Sequence, residues 1–311
     1  MKFDTVLCVG TQHKEIALKT LRSLFLFTST KRIFVITASN NIQFFKKHVP
    51  AGLPVSVLNQ DEVIACVNLD VIQDELIERT GASDRSGWYF QQFLKMGVSL
   101  LDDLSDYYLV WDADTVLLRR LDFFDDKKRV MISKKSEHHA PYFETLDKLL
   151  GIKKQVDFSF ISEHLMIKKE YMQSLLNRIG KDILDQGEWV LQILSAIPTE
   201  HLPRSGFSEY ETYGNFIAAY CPESFEGRTI KTLRSGTKIY GRNPDKYAFF
   251  DLIQSGYCAT SFESWQPSPA LILKVSKSFL LRFYWFKSLL KQASLQDRYS
   301  AIQISSDIDL H

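Results

Sequence analysis

The chain has 311 residues, of which 45% are hydrophobic and 24% charged, an ordinary composition for a globular protein that folds throughout its length. The 38 basic and 37 acidic side chains nearly cancel, so we expect no nucleic-acid partner. The four cysteines form no CxxC pair, which argues against a disulfide-rich secreted scaffold. The sequence shows neither a signal peptide nor the roughly 18 uncharged apolar residues of a spanning helix, so we expect a cytoplasmic protein.

The first sixty residues have the pattern of a βαβ unit followed by another strand. A short apolar run at residues 5–9 ends in Gly-Thr-Gln-His, and residues 14–27 then carry apolar side chains at helical spacing. Apolar runs at residues 33–38 and 54–58 predict two more strands. Residues 61–80 are acidic, and we expect part helix and part loop there.

The next segment predicts a helix that leads into a buried strand. Residues 83–87 are predicted to form the loop that precedes the helix. One helical face then carries apolar side chains at steps of 4, 3, 4 and 4, namely Tyr89, Phe93, Met96, Leu100 and Leu104. Residues 107–111 form a continuous apolar run, as expected of a central strand buried on both faces. This alternation predicts an α/β fold with a mostly parallel central sheet flanked by helices, in which ligands bind beyond the carboxyl ends of the strands.

Two aspartates follow this strand directly, in the triplet Asp112-Ala113-Asp114. On extended backbone, carboxylates at positions i and i+2 lie on the same side, so both are expected to face one cation. Mg²⁺ and Mn²⁺ prefer carboxylate oxygen and are commonly held by one or two carboxylates plus substrate phosphates. The pair therefore predicts a Mn²⁺ or Mg²⁺ site that also binds a diphosphate.

The acidic segment resembles a known group. Residues 109–117, Leu-Val-Trp-Asp-Ala-Asp-Thr-Val-Leu, resemble the DxD segment of GT-A glycosyltransferases. Residues 87–95, 162–166 and 207–215 are similar to a bacterial family of proposed glycosyltransferases, DUF6492, often encoded in surface-polysaccharide loci. The resemblance covers roughly residues 3–260. It implies a GT-A-type, Rossmann-like domain over residues 1–262 and a C-terminal helical extension over residues 263–311.

The resemblance also implies an activity. It implies a metal-dependent, hexosyltransferase-like glycosyltransferase that moves a sugar from a nucleotide-diphosphate donor to a hydroxyl of a bacterial surface glycan. The acceptor would be a lipopolysaccharide O-antigen or core, or a capsule, and is expected to be lipid-linked. The residues implied in binding the nucleotide sugar are Thr11, His13, Arg85, Gln91, Gln92, Lys95, Asp112, Ala113 and Asp114. Those implied in the sugar and acceptor pocket are Glu163, His164 and Tyr210.

Glu209 is the candidate general base. Ser208 and Glu211 have the spacing of a capping box, which leaves Glu209 free at the start of a predicted helix. Inverting GT-A enzymes place a carboxylate near the acceptor hydroxyl as base, and Glu209 is expected to take that role. Helix capping remains the alternative for Glu211.

Several residues have plain structural alternatives. His13 could cap a loop, Arg85 and Lys95 could be solvated helix charges, and His164 could be a buried structural histidine. Many GT-A enzymes complete the metal site with a late histidine, but after His201 this chain has only His311. We therefore expect an earlier residue such as His164, or diphosphate and water, to complete the coordination.

Residues 271–291 are rich in aromatic and basic side chains. Apolar residues recur there at helical steps, and no acidic residue occurs between Glu263 and Asp297. Such helices bind anionic membrane interfaces, so we expect peripheral contact with the inner face of the cytoplasmic membrane, unless the helix packs on the domain or a dimer partner.

Two other functions are compatible with the sequence. An apolar strand followed by Asp-x-Asp also satisfies the first motif of HAD-type phosphatases, in which Asp112 would be the nucleophile and Asp114 the acid/base. More than a hundred residues precede the motif here, whereas HAD chains usually carry it on their first strand. The third function is that of a catalytically silent nucleotide or glycan binder.

Overall fold

The computed structural model describes residues 1–181, 186–269, 280–285 and 296–309. The strands are β1 Phe3–Val9, β2 Thr30–Thr37, β3 Val55–Asn59, β4 Tyr107–Trp111, β5 Thr115–Leu117, β6 Val130–Ser133, β7 His164–Lys168, β8 Phe225–Arg228, β9 Thr232–Leu233 and β10 Ala259–Ser261. The helices are α1 Lys14–Phe27, α2 Ser39–His48, α3 Leu69–Thr80, α4 Ser86–Gly97, α5 Ala140–Leu150, α6 Lys169–Gly180, α7 Glu188–Ala196, α8 Glu209–Tyr220, α9 Gly236–Tyr240, α10 Lys246–Gln254 and α11 Gln296–Asp309.

The central sheet has the strand order β3-β2-β1-β4-β7. Strands β1 to β4 run parallel, and β7 pairs antiparallel with β4 at one edge. All seven residues of β1 are buried, Asp4 and Thr5 among them, as expected of a central strand covered on both faces. The core extends from the sheet to the apolar sides of α1, α4, α6 and α7. The predicted α/β fold with a mostly parallel, helix-flanked sheet is therefore confirmed.

Helix α4 is shorter than the sequence predicts. It ends at Gly97, and a 3₁₀ turn, Val98–Leu100, replaces the continuation towards Leu104. Gly97 packs closely against Ile64, because a Cβ at position 97 would lie 2.7 Å from Ile64 Cγ1. The backbone of Leu101 is extended, so Leu104 is buried beyond the helix rather than on its face.

The chain leaves the central sheet after β4 and enters a smaller one. In that sheet β10 pairs antiparallel with β5 and parallel with β9. Strands β6 and β8 form a separate parallel pair. The segment that follows β10 is thereby brought next to the end of β4.

The C-terminal helix returns to the first half of the chain. Helix α11 packs against α10 and α1, where Lys19 Nζ contacts the carboxylate of Asp309 and the carbonyl of Pro244. Of the aromatic segment 271–291, residues 280–285 are helical, with Leu280 and Phe283 more than half exposed, and the remainder lies outside the described residues. Membrane contact through this segment and the boundary after residue 262 stay predictions. Within the described ranges, no helix is both long and apolar enough to cross a membrane.

Candidate active-site cleft

A cleft of about 800 Å³ opens at the carboxyl ends of β1 and β4. Gly10, Gln12 and His13 line it after β1, and residues 112–114 line it after β4. Helix α4 and the start of α8 complete the walls. Because parallel strands end at the same edge of a sheet, the topology brings these segments together where an open α/β fold binds its ligands.

The acidic triplet forms a turn and not the extended segment that the sequence predicts. Thr115 N donates to the carbonyl oxygen of Asp112 at 3.0 Å, which closes the turn. Asp112 N donates to Glu163 O at 3.0 Å, and Asp114 O accepts from Phe262 N at 2.8 Å. The turn is needed because the chain changes sheets between β4 and β5. Both carboxylates still line the cleft.

Asp114 has no lysine or arginine paired with it among the described residues. Burial, and then Asp112 and Glu263, raise the pKa of Asp114 to about 7. His13 Nε2 lies 3.7 Å from Asp114 Oδ2, but burial lowers the pKa of His13, so this contact is not an ion pair at neutral pH. That Nε2 is buried and has no hydrogen-bond partner among the described residues. The arrangement suits a cation.

Lys95 joins the acidic turn to α8. Its Nζ lies 3.1 Å from Asp112 Oδ1, 2.9 Å from Glu209 Oε1 and 3.4 Å from Tyr210 Oη. Burial by itself would lower the pKa of Lys95, but Asp112 and Glu209 outweigh it and raise the pKa well above its ordinary value. Lys95 is therefore a buried cation, and the alternative of a solvated helix charge is wrong.

The start of α8 has half of the predicted capping box. Ser208 Oγ accepts from Glu211 N at 3.3 Å. The Glu211 carboxylate, however, accepts from Ser159 Oγ at 2.5 Å and from Asn215 Nδ2 at 3.1 Å, so it stabilises a neighbouring loop instead of the cap. Glu209 is not free, because Lys95 pairs with it; its carboxylate nevertheless lines the cleft.

Two predicted residues lie outside the cleft. The hydroxyl of Thr11 accepts from Asn41 Nδ2 at 3.0 Å, and the neighbouring Gln12 lines the cleft in its place. The ring of His164 stacks on that of Trp111, with 4.8 Å between centroids, because the two residues are paired across β4 and β7. Burial lowers the pKa of His164 to about 3. His164 is thus a core residue, which corrects its predicted place in the acceptor pocket and as a metal ligand.

The remaining predicted residues line the cleft. The guanidinium of Arg85 lies 5.2 Å from the ring centroid of Trp88 and donates to Ser205 Oγ at 3.4 Å. Gln92 Oε1 accepts from the backbone N of Glu209 at 3.1 Å. Glu163 Oε2 lies 3.2 Å from Lys135 Nζ, which lowers the pKa of Glu163 although burial opposes the shift.

Sequence analysis missed several residues of the cleft. The missed residues are Gln12, Gln60, Trp88, Glu137, Tyr142, Arg234, Glu263 and Trp265. Glu263 could have been found as a carboxylate that follows a short strand, as Asp112 does. The contacts of Arg234 with Glu137 at 3.5 Å and Glu263 at 3.1 Å have no local signal, because they join three separate loops.

A family model described as a family of unknown function, DUF6492, matches residues 9–265. The chain belongs to DUF6492. None of the curated proteins compared with this DUF6492 member matches it.

Several solved structures are similar to the DUF6492 chain at low identity. Mouse xyloside xylosyltransferase 1 in its apo form has a TM-score of 0.43 and 11% identity, covering 86% of this chain and 100% of its own. The galactosyltransferase LgtC, solved with donor and acceptor sugar analogues, has a TM-score of 0.45 and 10% identity. The match covers 96% of this chain and 99% of LgtC. The apo form of the glycosyltransferase GlyE of Streptococcus pneumoniae TIGR4 has a TM-score of 0.40 and 13% identity. The match covers 93% of this chain and 64% of GlyE. At these values the likeness assigns no activity.

We expect Asp114→Asn to stabilise the metal-free protein at alkaline pH. Folding raises the pKa of Asp114 from 3.8 to about 7, so its contribution to stability is full below pH 3.8 and is lost as the pH rises through about 7. The variant should therefore gain about 2–4 kcal/mol over wild type near pH 8 and much less near pH 5. Denaturant unfolding in a chelating buffer, carried out near pH 8 and near pH 5, measures the free energy of unfolding of both proteins. Asp122→Asn, at an aspartate 71% exposed, is the control, and equal pH profiles for wild type and Asp114→Asn would contradict the expectation.

We expect Lys95→Met to lower the free energy of unfolding by about 3–5 kcal/mol, because it leaves the Glu209 carboxylate buried without a countercharge. Adding Glu209→Gln should recover much of the loss. Lys168→Met is the control, since its partner Glu170 is 75% exposed and the loss of this pair should cost less than about 1 kcal/mol. A double variant no more stable than Lys95→Met would show that the ion pair is not the cause.

Proposed function

We propose that this protein is a glycosyltransferase that moves a sugar from a nucleotide-diphosphate donor to a hydroxyl group of a glycan. The observation that carries the proposal is the acidic turn of Asp112 and Asp114 at the carboxyl end of β4, in a cleft that also holds Lys95 and Arg85. This combination of carboxylates and cations suits a diphosphate bound with a divalent ion. The mostly parallel sheet around it supports a GT-A-type domain.

The residues of the cleft fit Mn²⁺ or Mg²⁺. Asp112 and Asp114 would hold the ion, since both line the cleft at one turn and Asp114 has no cationic partner among the described residues. Among the described residues, no group of three His, Cys, Asp or Glu side chains could hold a metal by itself, so diphosphate oxygens and water would complete the coordination. Stabilisation of charge on the departing nucleoside diphosphate is the chemistry that the ion supplies when bound.

The nucleotide is proposed to bind at the ends of the first three strands. Gly10 and Gln12 follow β1, Ile36 lies near the end of β2, and Gln60 follows β3, and all four line the cleft. Arg85 lies on the α4 side and would contact phosphate or ribose. This arrangement leaves the sugar between the acidic turn and α8.

Glu209 is proposed as the general base. Lys95 holds its Oε1 at 2.9 Å, which orients the carboxylate and leaves Oε2 to accept the proton of the acceptor hydroxyl. A base on this side of the sugar implies single displacement with inversion at the anomeric carbon.

The proposal is tested with a panel of nucleotide sugars, by measuring the nucleoside diphosphate released in Mn²⁺ or Mg²⁺. We expect one donor to be cleaved. Asp114→Asn should abolish cleavage because it removes a ligand of the ion, and excess EDTA should abolish it because it removes the ion itself. Asp122→Asn should retain full rate. Full activity of Asp114→Asn, or of wild type in EDTA, would contradict the proposed metal site. Release of phosphate from p-nitrophenyl phosphate, without cleavage of any donor, would favour the HAD-type phosphatase.

Glu209→Gln preserves size and removes the base, so it should lower kcat about 10²–10⁴-fold with little change in donor affinity. Glu211→Gln is the matched control on the same helical turn, because its carboxylate contacts Ser159 and Asn215 and not the cleft. A product with the donor's anomeric configuration, or a Glu209→Gln variant with normal turnover, would exclude this role.

A further inference from the structure

Trp265 is an exposed tryptophan at the mouth of the cleft. Its exposed fraction is 73%, the highest of the large hydrophobic side chains within the described ranges. It lines the same cleft as Asp112 and Asp114. An exposed indole that lines a cleft, unlike one on the open surface, is placed to be covered by a ligand, and its burial there would be favourable.

The backbone that carries Trp265 is held firmly. Gln266 N donates to Glu263 O at 3.3 Å, which closes a turn with Trp265 near its apex. The side chain of Gln266 is 3% exposed and donates to Arg234 O at 2.9 Å, and Thr237 Oγ1 donates to Glu263 O at 3.0 Å. Residues on both sides of Trp265 are therefore buried and bonded while its ring faces outward. The backbone position of Trp265 is thus fixed before a ligand binds, which lowers the entropic cost of ordering this turn.

Polar groups suited to hydroxyls line the same cleft as Trp265. Arg234 pairs with Glu137 at 3.5 Å and with Glu263 at 3.1 Å, and its side chain remains 57% exposed. Ser264 also lines the cleft. Arg234 pairs with Glu263, two residues before Trp265 in the chain, so this part of the cleft combines one aromatic side chain with charged groups and is not an apolar patch. A lipid chain would need a larger apolar surface.

The position of Trp265 separates it from the proposed nucleotide region. The nucleotide region lies at the ends of β1, β2 and β3, whereas Trp265 follows β10 of the smaller sheet. Phe262, three residues earlier, bonds to Asp114 O, so the Trp265 turn begins beside the acidic turn. Arg234 and Glu137, its charged neighbours, belong to the loops after β9 and β6. This is the side of the acidic turn on which an acceptor would enter.

We propose that Trp265 is the stacking platform for a pyranose ring of the acceptor, with Arg234, Glu137 and Ser264 contacting its hydroxyls. One face of a pyranose presents C–H bonds that carry partial positive charge, and these stack on the negative face of an indole. The inference rests on the proposed glycosyltransferase function and deepens it, because it assigns the residues that would recognise the acceptor sugar by its ring.

The test measures binding without donor, metal or turnover, so it is independent of the activity assay. Saturation-transfer NMR with the full chain and a panel of methyl hexopyranosides should show transfer onto the C–H protons of one ring face. Trp265→Ala should raise the dissociation constant of the best ligand about tenfold, because an aromatic anchor is removed. Trp265→Phe, which keeps a smaller ring, should lose less. Tyr220→Ala removes an aromatic 46% exposed and outside the cleft lining, and it should bind as wild type does.

Three results would overturn the inference. The first is a wild type that binds no pyranoside of the panel, and the second is a Trp265→Ala variant that binds as well as wild type. The third is a Trp265→Ala variant that loses affinity for UDP or GDP while keeping pyranoside binding, which would place a nucleobase on the ring. The proposed function itself would fail in a different assay, if wild type cleaved none of the nucleotide-sugar donors.

Discussion

The buried ammonium group of Lys95 is the interaction on which the geometry of the cleft depends. It contacts Asp112 at 3.1 Å and Glu209 at 2.9 Å, and so connects the end of β4 and the start of α8 through α4. Removing an ion from water costs several kcal/mol, and this cost is offset here because two carboxylates and the hydroxyl of Tyr210 surround the ion. The same cation sits between two carboxylates that would otherwise repel each other.

Most carboxylates of the cleft, Glu163 beside Lys135 among them, have a cationic partner, and Asp114 does not. Lys95 compensates Asp112 and Glu209, while Arg234 compensates Glu263. Asp114 has no comparable cationic partner among the described residues, because burial keeps His13 neutral. The surplus is thus confined to the point where the chain passes from the central sheet to the smaller one. A divalent ion bound there would have a preformed electrostatic partner.

The smaller sheet determines what surrounds this point. Because β10 pairs with both β5 and β9, the loops that follow β9 and β10 reach the acidic turn from the side opposite the first three strands. They carry Arg234, Glu263 and Trp265 to the mouth of the cleft. The cleft therefore has one end formed by the parallel strands and another formed by irregular loops.

The local sequence pattern was enough to predict the parallel strands, helix α1 and the position of Asp112 and Asp114 directly after β4. Apolar runs and helical periodicity are properties of residues close together in the chain. The end of α4 at Gly97 could not be predicted, since apolar residues continue at helical spacing beyond it as far as Leu104. Only the tertiary structure decided the partner of Glu209, because Lys95 lies 114 residues away and long-range ion pairs leave no local signal. It likewise decided that His164 belongs to the core, since that follows from strand pairing with Trp111 and not from its neighbours.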